Sequence, residues 1–430
     1  MRLPSRIPQL NLKLGLGRRG GGDVVGLDIQ PGFVAAVQAQ VNGSIKVERA
    51  ALQPLGADTM RDGEVLDGGA LTDVLRELFG DSGLSKRVRV GVANQRTVLR
   101  TLELPPVTDQ KELAAAVSFQ AQDQVPMPLN NAVLDFHPLG IVDTPAGPRQ
   151  RVVLVAAQRD MIERLLAAVR GAGLTPVGVD LSAFALIRSL YRAEPEQDGR
   201  VLYLNVDGLT NLAIAEGKIC RFTRVVGSGL EGMAVELAER RGIALVDARA
   251  LLAEVDMSAG APVEEPLVAD PEPAGESSNA AAEDPEAVAA ESPVEIAEDT
   301  AAEKQPGGPH DNFEIGQGFE MGDPSTAPPA PPAPDAEVWS VLENGIREIS
   351  GEVRNSLDFH RSQEGGGEVS HVVLSGAAGD IPGFAESLQL ALGVEVHSES
   401  VGVADERMGS KVSRNRLAVA TGLATSEAPQ

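Results

Sequence analysis

The chain has 430 residues, 43% of them apolar, and a formal net charge of −25. That length supports two or more domains with cores of their own. No apolar run is long enough to cross a bilayer, and the single cysteine, Cys220, excludes an internal disulfide and a cysteine-based zinc site.

Residues 1–22 carry Arg2, Arg6, Lys13, Arg18 and Arg19 and no acid. They read as a basic, disordered leader, or as a weak electrostatic contact with anionic lipid. Leu10, Leu12, Leu14 and Leu16 alternate at a period of two, which does not make an amphipathic helix. The stretch has neither the apolar core nor the small-residue cleavage site of a signal peptide, so a cytoplasmic protein is expected.

The segment VVGLDIQPGFVAAVQAQVNGSIKVERAA (24–51) predicts three strands. An aliphatic run ends in Asp28 and turns at Gln-Pro-Gly, and a second strand turns at Asn42-Gly43, a strong hairpin signal. Further along, Asp109 follows Thr108, read as a helix cap, with Ala115, Phe119 and Gln122 at helical spacing. A helix begun near Asp160 should stop at Gly171 and Gly173, before Pro176. The segment VLYLNVDGLTNLAIAEGKICRFTRVVG (201–227) then repeats the opening pattern. Its first strand ends in Asn205, turns at Asp207-Gly208, continues through a second strand and turns again at Glu216-Gly217. Two such units read as a duplication, and two backbone turns facing one cleft would present N–H groups to a phosphate. The chain has neither GxxxxGK[ST] nor GxGxxG after a strand, so a P-loop or Rossmann site is not expected.

A helical run, EGMAVELAERRGIALVDARALLAEV, precedes an acidic stretch at 256–337. Between Met257 and Glu337 lie 19 acids, one lysine (Lys304) and 14 of the 29 prolines. Most of the net charge therefore sits in one segment, which reads as a disordered insert. Its island at 312–322, with Phe313, Ile315, Phe319 and Met321, is a short docking motif or a stray apolar patch. So acidic a chain is not expected to bind nucleic acid. After the insert, a helix with Val341, Ile346, Ile349, Val353 and Leu357 near one face leads into the strand SHVVLSG and a helix after Pro382.

Several segments together resemble one family. They are LELPPVTDQKEL and QVPMPL within 87–140, the run 152–190, SLDFHRSQ, HVVLSGAAGDIPGFAESLQLALGVEV and NRLAVATGLA. In these the chain is similar to the PilM family of type IV pilus assembly proteins, within the actin, Hsp70 and FtsA superfamily. The resemblance implies an α/β, actin/Hsp70-like (ribonuclease H-like) two-domain fold with an FtsA/PilM-type inserted subdomain. Its expected parts are domain I at 23–190, with the subdomain at about 88–179, and domain II at 191–255 and 338–425. The insert divides domain II, and 426–430 is a tail. The resemblance also implies a cytoplasmic member of the pilus inner-membrane complex, peripheral to the membrane's inner face. Such a protein binds the N-terminal cytoplasmic tail of PilN, joins PilN and PilO, and communicates with the pilus motor ATPases.

By the same resemblance, Gln30 and Gly32 lie in the first phosphate turn, and Asn205, Asp207, Gly208 and Thr210 in the second. Ser375, Gly376 and Gly379 lie on the adenosine side. Asp28 is the acid for magnesium, and Asp180 the residue to position metal-bound water. On the residues alone, Asp28 is equally a strand-end turn former and Asp180 a helix cap. The turns depart from the family's D-I-G-S-x-x-V-K and D-I-G-x-x-x-T. Gln30 replaces a glycine, Pro31 lacks an N–H, the lysine is absent, Asn205 replaces an acid, and Asp207 adds a negative charge. Such losses weaken nucleotide binding by about a hundredfold or more. ATP with magnesium is therefore expected to bind weakly or not at all, and a scaffold is favoured over an enzyme. The alternatives are an active ATPase of the actin/FtsA type and an FtsA-like division protein. The polar ATSEAPQ ending does not suit the latter's membrane helix.

Overall fold

The computed structural model describes residues 24–42, 44–192, 199–259, 335–363, 365–405 and 412–425. In chain order the first lobe contains β1 (Val25–Gln30), β2 (Phe33–Asn42), β3 (Ser44–Pro54), the short pair β4 (Met60–Arg61) and β5 (Glu64–Val65), and α1 (Gly68–Asp81). There follow β6 (Arg87–Val92), β7 (Val98–Leu104), α2 (Gln110–Gln124), β8 (Ala132–Thr144), β9 (Gly147–Gln158), α3 (Arg159–Gly171), β10 (Thr175–Leu181) and α4 (Ser182–Leu190). The second lobe adds β11 (Arg200–Val206), β12 (Thr210–Glu216), β13 (Ile219–Val226), α5 (Leu230–Arg241), α6 (Leu245–Glu254) and α7 (Ala336–Ser362). It ends with β14 (Val369–Ser375), α8 (Phe384–Leu392) and β15 (Val396–Ser398), after which come β16 (Gly402–Val403) and α9 (Ala418–Ala424).

The two lobes are built on one plan. The first sheet runs β10-β6-β1-β2-β3-β16, and the second β13-β12-β11-β14-β15. In each, an antiparallel meander (β1-β2-β3 or β11-β12-β13) joins a parallel strand at its first member, β6 beside β1 and β14 beside β11. Asp28 and Asn205 hold matching places near the ends of β1 and β11. Strands buried on both faces explain the unbroken apolar runs of VGLDI and VLYLNV.

One face of the first sheet packs on α1 and α3 through Leu71, Leu75, Ile162 and Leu166. The second sheet packs on α5 to α8 through Leu237, Val341, Ile349 and Phe384. The 3.6-residue period of α7 is realised: Val341, Ile346, Ile349, Val353 and Leu357 are all buried. A third core, shared by both lobes, encloses α4 and α9. Here the backbones come very close. A Cβ on Gly422 would lie 1.8 Å from the Ala185 carbonyl oxygen, and one on Gly26 1.8 Å from that of Ala420.

Several expected boundaries move. The inserted subdomain is the three-stranded sheet β7-β9-β8 with α2, spanning 98–158 rather than 88–179. The flanking segments belong to the main sheet, because β6 pairs with β1 and with β10. Two elements expected in the second lobe lie on the first: β16 pairs with β3, and α9 packs on β1, β2 and α4. Met257, expected in the insert, is buried and donates its N–H to the Pro382 carbonyl at 2.8 Å. The run at 230–254 is two helices, broken at Gly242, whose φ of 62° is left-handed. Asp109, not Thr108, caps α2, accepting from the Lys111 and Glu112 N–H groups. The buried face of α2 is Leu113, Val117 and Ala121, and Phe119 is 71% exposed. The leader at 1–22, the apolar island at 312–322 and the tail at 426–430 lie outside the described residues. No helix among the described residues is long and apolar enough to cross a membrane.

Candidate functional site: a cleft between two turns

The first turn, Gln30-Pro31-Gly32-Phe33, joins β1 to β2. Pro at its second position and Gly at its third, with Gly32 at φ 91°, is the type II pattern. The second turn, Val206 to Thr210, joins β11 to β12 and is closed by the Asp207 N–H donating to the Leu209 carbonyl at 3.1 Å. The turns touch. A Cβ on Gly208 would lie 2.0 Å from the Pro31 carbonyl oxygen, so glycine is required there by close approach.

Each candidate acid has a protein partner. Asp28 is 2% exposed, and the Gln30 side-chain amide donates to its Oδ2 at 2.9 Å. Burial pushes the Asp28 carboxyl up to about 7 against that hydrogen bond, and the negative charge of Asp207 adds to the rise. Asp207 is 1% exposed. Its Oδ1 accepts the Ala377 N–H at 2.8 Å, its Oδ2 the Asn205 amide at 3.3 Å, and Arg416 Nε stands 3.4 Å from Oδ1. Burial raises the Asp207 carboxyl to about 6, although the Arg416 charge and the Ala377 and Asn205 hydrogen bonds oppose it. Expected in the second phosphate turn, Asp207 points its carboxylate into its own lobe, where it accepts an N–H of the short 3-10 helix Ala377–Asp380.

Asp180, expected to position a metal-bound water or to cap α4, makes no side-chain cap on that helix. Its Oδ2 accepts from Arg188 Nη2 at 2.8 Å and its Oδ1 from the Leu181 N–H at 2.9 Å. Arg188 and Arg89 together donate to the carbonyls of Gly422, Leu423 and Thr425 at the carboxyl end of α9.

Ser375, Gly376 and Gly379, expected on the adenosine side, make contacts within the fold. Ser375 Oγ donates to Asn205 Oδ1 at 2.9 Å. Gly376, at φ 88°, packs on the Val206 backbone, and Gly379 on Ser398 and Asn415. Thr210 is buried, and its hydroxyl has no hydrogen-bond partner among the described residues. Beside the closed turns lies a cavity of about 460 Å³, with Gly32, Gly208, Leu230, Ala377 and Asp380 in its wall. Among the described residues, no three His, Cys, Asp or Glu side chains converge so as to hold a metal.

Three residues at the site escaped the sequence reading. Arg416 stacks on the Phe33 ring at 5.1 Å from its centroid while facing Asp207, and so bridges the first turn and the second. Glu231 and Arg249 form a pair at the cavity wall. No local spacing marks them, since their partners come from distant segments.

The family model for type IV pilus assembly protein PilM matches residues 26–210. Among solved structures, the chain is similar to a PilM-PilN type IV pilus biogenesis complex. The identity is 22% and the TM-score 0.65, covering 94% of this chain and 98% of that one. More distant are the ethanolamine utilization protein EutJ of Carboxydothermus hydrogenoformans (15%, TM-score 0.45, 93% and 88% covered) and MreB5 of Spiroplasma citri bound to AMPPNP (11%, 0.43, 93% and 94%). The duplicated lobes are those of the actin-like fold, and within them residues 26–210 match the family model of type IV pilus assembly protein PilM.

Proposed function

We propose that this chain is a cytoplasmic, actin-like scaffold of the type IV pilus inner-membrane complex. It binds the N-terminal cytoplasmic tail of PilN, sits with PilN and PilO at the inner face of the membrane, and relays to the motor ATPases. Its cleft binds ATP weakly or not at all, and it is not an enzyme. The family match and the similarity to a PilM-PilN complex support the pilus role.

The contact between the two turns carries the reading of the cleft. A phosphate group needs converging N–H donors with space between them. Here the Gly208 backbone abuts the Pro31 carbonyl, and Pro31 offers no N–H. Asp28 is covered by Gln30 and Asp180 is held by Arg188, so these residues do not fit magnesium and a phosphate chain. Calorimetry with Mg-ATP is expected to give a dissociation constant weaker than about 1 mM. A micromolar value would overturn the reading. The ATP-binding alternative has one observation in its favour, the cavity beside Ala377 and Asp380, whose volume lies within the range of small-molecule sites. The same titration decides between the two.

For the partner, the PilN tail is proposed to lie on the first lobe against the subdomain at 98–158, as an extended chain burying alternate side chains. Phe119 on α2 and Ile141 on β8 are 71% and 64% exposed, and neither supports the core. Phe119→Asp with Ile141→Asp is expected to keep the native melt and to weaken capture of a tail peptide by about tenfold or more, as loss of apolar anchors does. Unchanged capture would place the tail elsewhere.

A further inference from the structure

We infer that the cleft carries a built-in oxyanion. The Glu231 carboxylate, carried on the first turn of α5, occupies a seat formed by Gly32 and Arg249, and ties the lobes together where a diffusible phosphate or carboxylate would otherwise bind. This rests on the reading of the cleft given above and names what fills it.

Glu231 is the second residue of α5, whose cap, Gly229, offers no side chain. An acid in a first helical turn is favoured by the exposed N–H groups there. Its Oε2 accepts Arg249 Nε at 2.8 Å and its Oε1 accepts Arg249 Nη2, a two-pronged pair of the kind guanidinium makes with carboxylate or phosphate alike. Both side chains are mostly buried, at 13% and 26% exposure.

The other side of the seat belongs to the first lobe. A Cβ on Gly32 would lie 2.5 Å from Glu231 Oε2, so the carboxylate rests directly on the turn's backbone. Arg249 Nη2 also donates to the Leu55 carbonyl at 3.2 Å, and the Leu55 N–H donates to the Gly32 carbonyl at 2.9 Å. One acid and one guanidinium from the second lobe thus close a ring of contacts with the first turn. The pair stands in the wall of the 460 Å³ cavity, so an anion from solution could reach the seat once Glu231 is gone.

An ordinary ion pair between α5 and α6 predicts only lost stability when Glu231 is removed. An occupied oxyanion seat predicts a gain of binding. The full chain and its Glu231→Ala variant are titrated by calorimetry with inorganic phosphate and with Mg-ATP, after each is shown to melt as native. Glu231→Ala is expected to bind phosphate at least tenfold more tightly than the unaltered chain, and Glu231→Ala with Arg249→Ala to lose that gain. If Glu231→Ala does not fold, the short polar Glu231→Ser, which also empties the seat, carries the comparison. Equal phosphate binding by the variant and the unaltered chain overturns the inference and leaves the reading of the cleft standing. Binding that survives loss of Arg249 marks an adventitious ion only and also overturns it. Micromolar Mg-ATP binding by the unaltered chain sinks the reading of the cleft, and the effect of Glu231→Ala on phosphate still judges the inference.

Discussion

Asp28→Asn is expected to raise the urea midpoint near pH 8 and to leave it nearly unmoved near pH 4, about the carboxyl's unfolded value. In the fold, burial lifts that carboxyl from 3.8 to about 7. The folded chain therefore holds the Asp28 proton more tightly than the unfolded chain does. The stability this proton supplies is complete below pH 3.8 and is lost as pH rises through about 7. Above that, an ionised Asp28 costs about 4 kcal/mol, at roughly 1.4 kcal/mol for each unit of displacement. An asparagine keeps an oxygen for the Gln30 amide and never ionises. The variant should gain about 2–4 kcal/mol in alkaline solution, the lower figure allowing for relaxation around a buried charge. Asp207→Asn should gain less, because Arg416 and the Ala377 N–H already favour the charged form. If the unaltered chain loses no stability between about pH 5 and pH 8 while Asp28→Asn does not gain, Asp28 has a cationic partner in solution. Stabilisation of the unaltered chain, but not of Asp28→Asn, by millimolar magnesium would identify that partner as the metal.

The parts of this fold that could be read in the sequence are those fixed by local chemistry. Asp28-Ile29-Gln30-Pro31-Gly32 and Asn205-Val206-Asp207-Gly208 each end an apolar run and force a turn, and the two meanders they begin are equivalent strands in the two sheets. The apolar period of α7 announced its buried face. What could not be read depends on pairing at a distance. The RVRVGV of β6 looks like the start of the subdomain until β10, more than 80 residues later, pairs with it in parallel. Asp207 follows the position of a phosphate-contacting residue, yet an Ala377 N–H 170 positions away turns its carboxylate inward. Phe119 falls at helical spacing, but the sheet lies on the other side of α2. The chemistry of the cleft was less legible than its turns, because Arg188 and Arg249, which no motif marks, hold Asp180 and Glu231, while Gln30 covers Asp28 from within the first turn.

Arg188→Ala is expected to be the most destabilising single change at the site, at about 3–5 kcal/mol by urea denaturation, because it leaves a buried acid without its partner. The side chains of Asp180 and Arg188 are 5% and 11% exposed, and their 2.8 Å contact is one part of a larger arrangement. Arg188 Nη1 also donates to the Gly422 carbonyl at 2.6 Å, and Arg89 Nη1 to the Leu423 and Thr425 carbonyls at 2.8 and 2.7 Å. Two guanidinium groups thus donate to the carbonyls at the end of α9, where a helix leaves acceptors unpaired and its dipole favours positive charge. Helix α9 is wedged against β1 and α4 at Gly26 and Gly422, with no space for an added methyl group. A small shift of its end is therefore transmitted to both lobes. Arg188→Lys should recover only part of the loss, since an ammonium cannot span the carboxylate and the carbonyl as a fork does. Arg188→Met with Asp180→Asn should be milder than Arg188→Ala alone, as it removes both charges together and keeps volume. A loss below about 1 kcal/mol for Arg188→Ala, in the range of exposed pairs, would show that water reaches Asp180 and that the cluster does not hold the end of α9. Hydrogen exchange at 418–425 supplies the second measurement: faster exchange there and in β1, with α2 unchanged, is the pattern that loosening of this wedge requires.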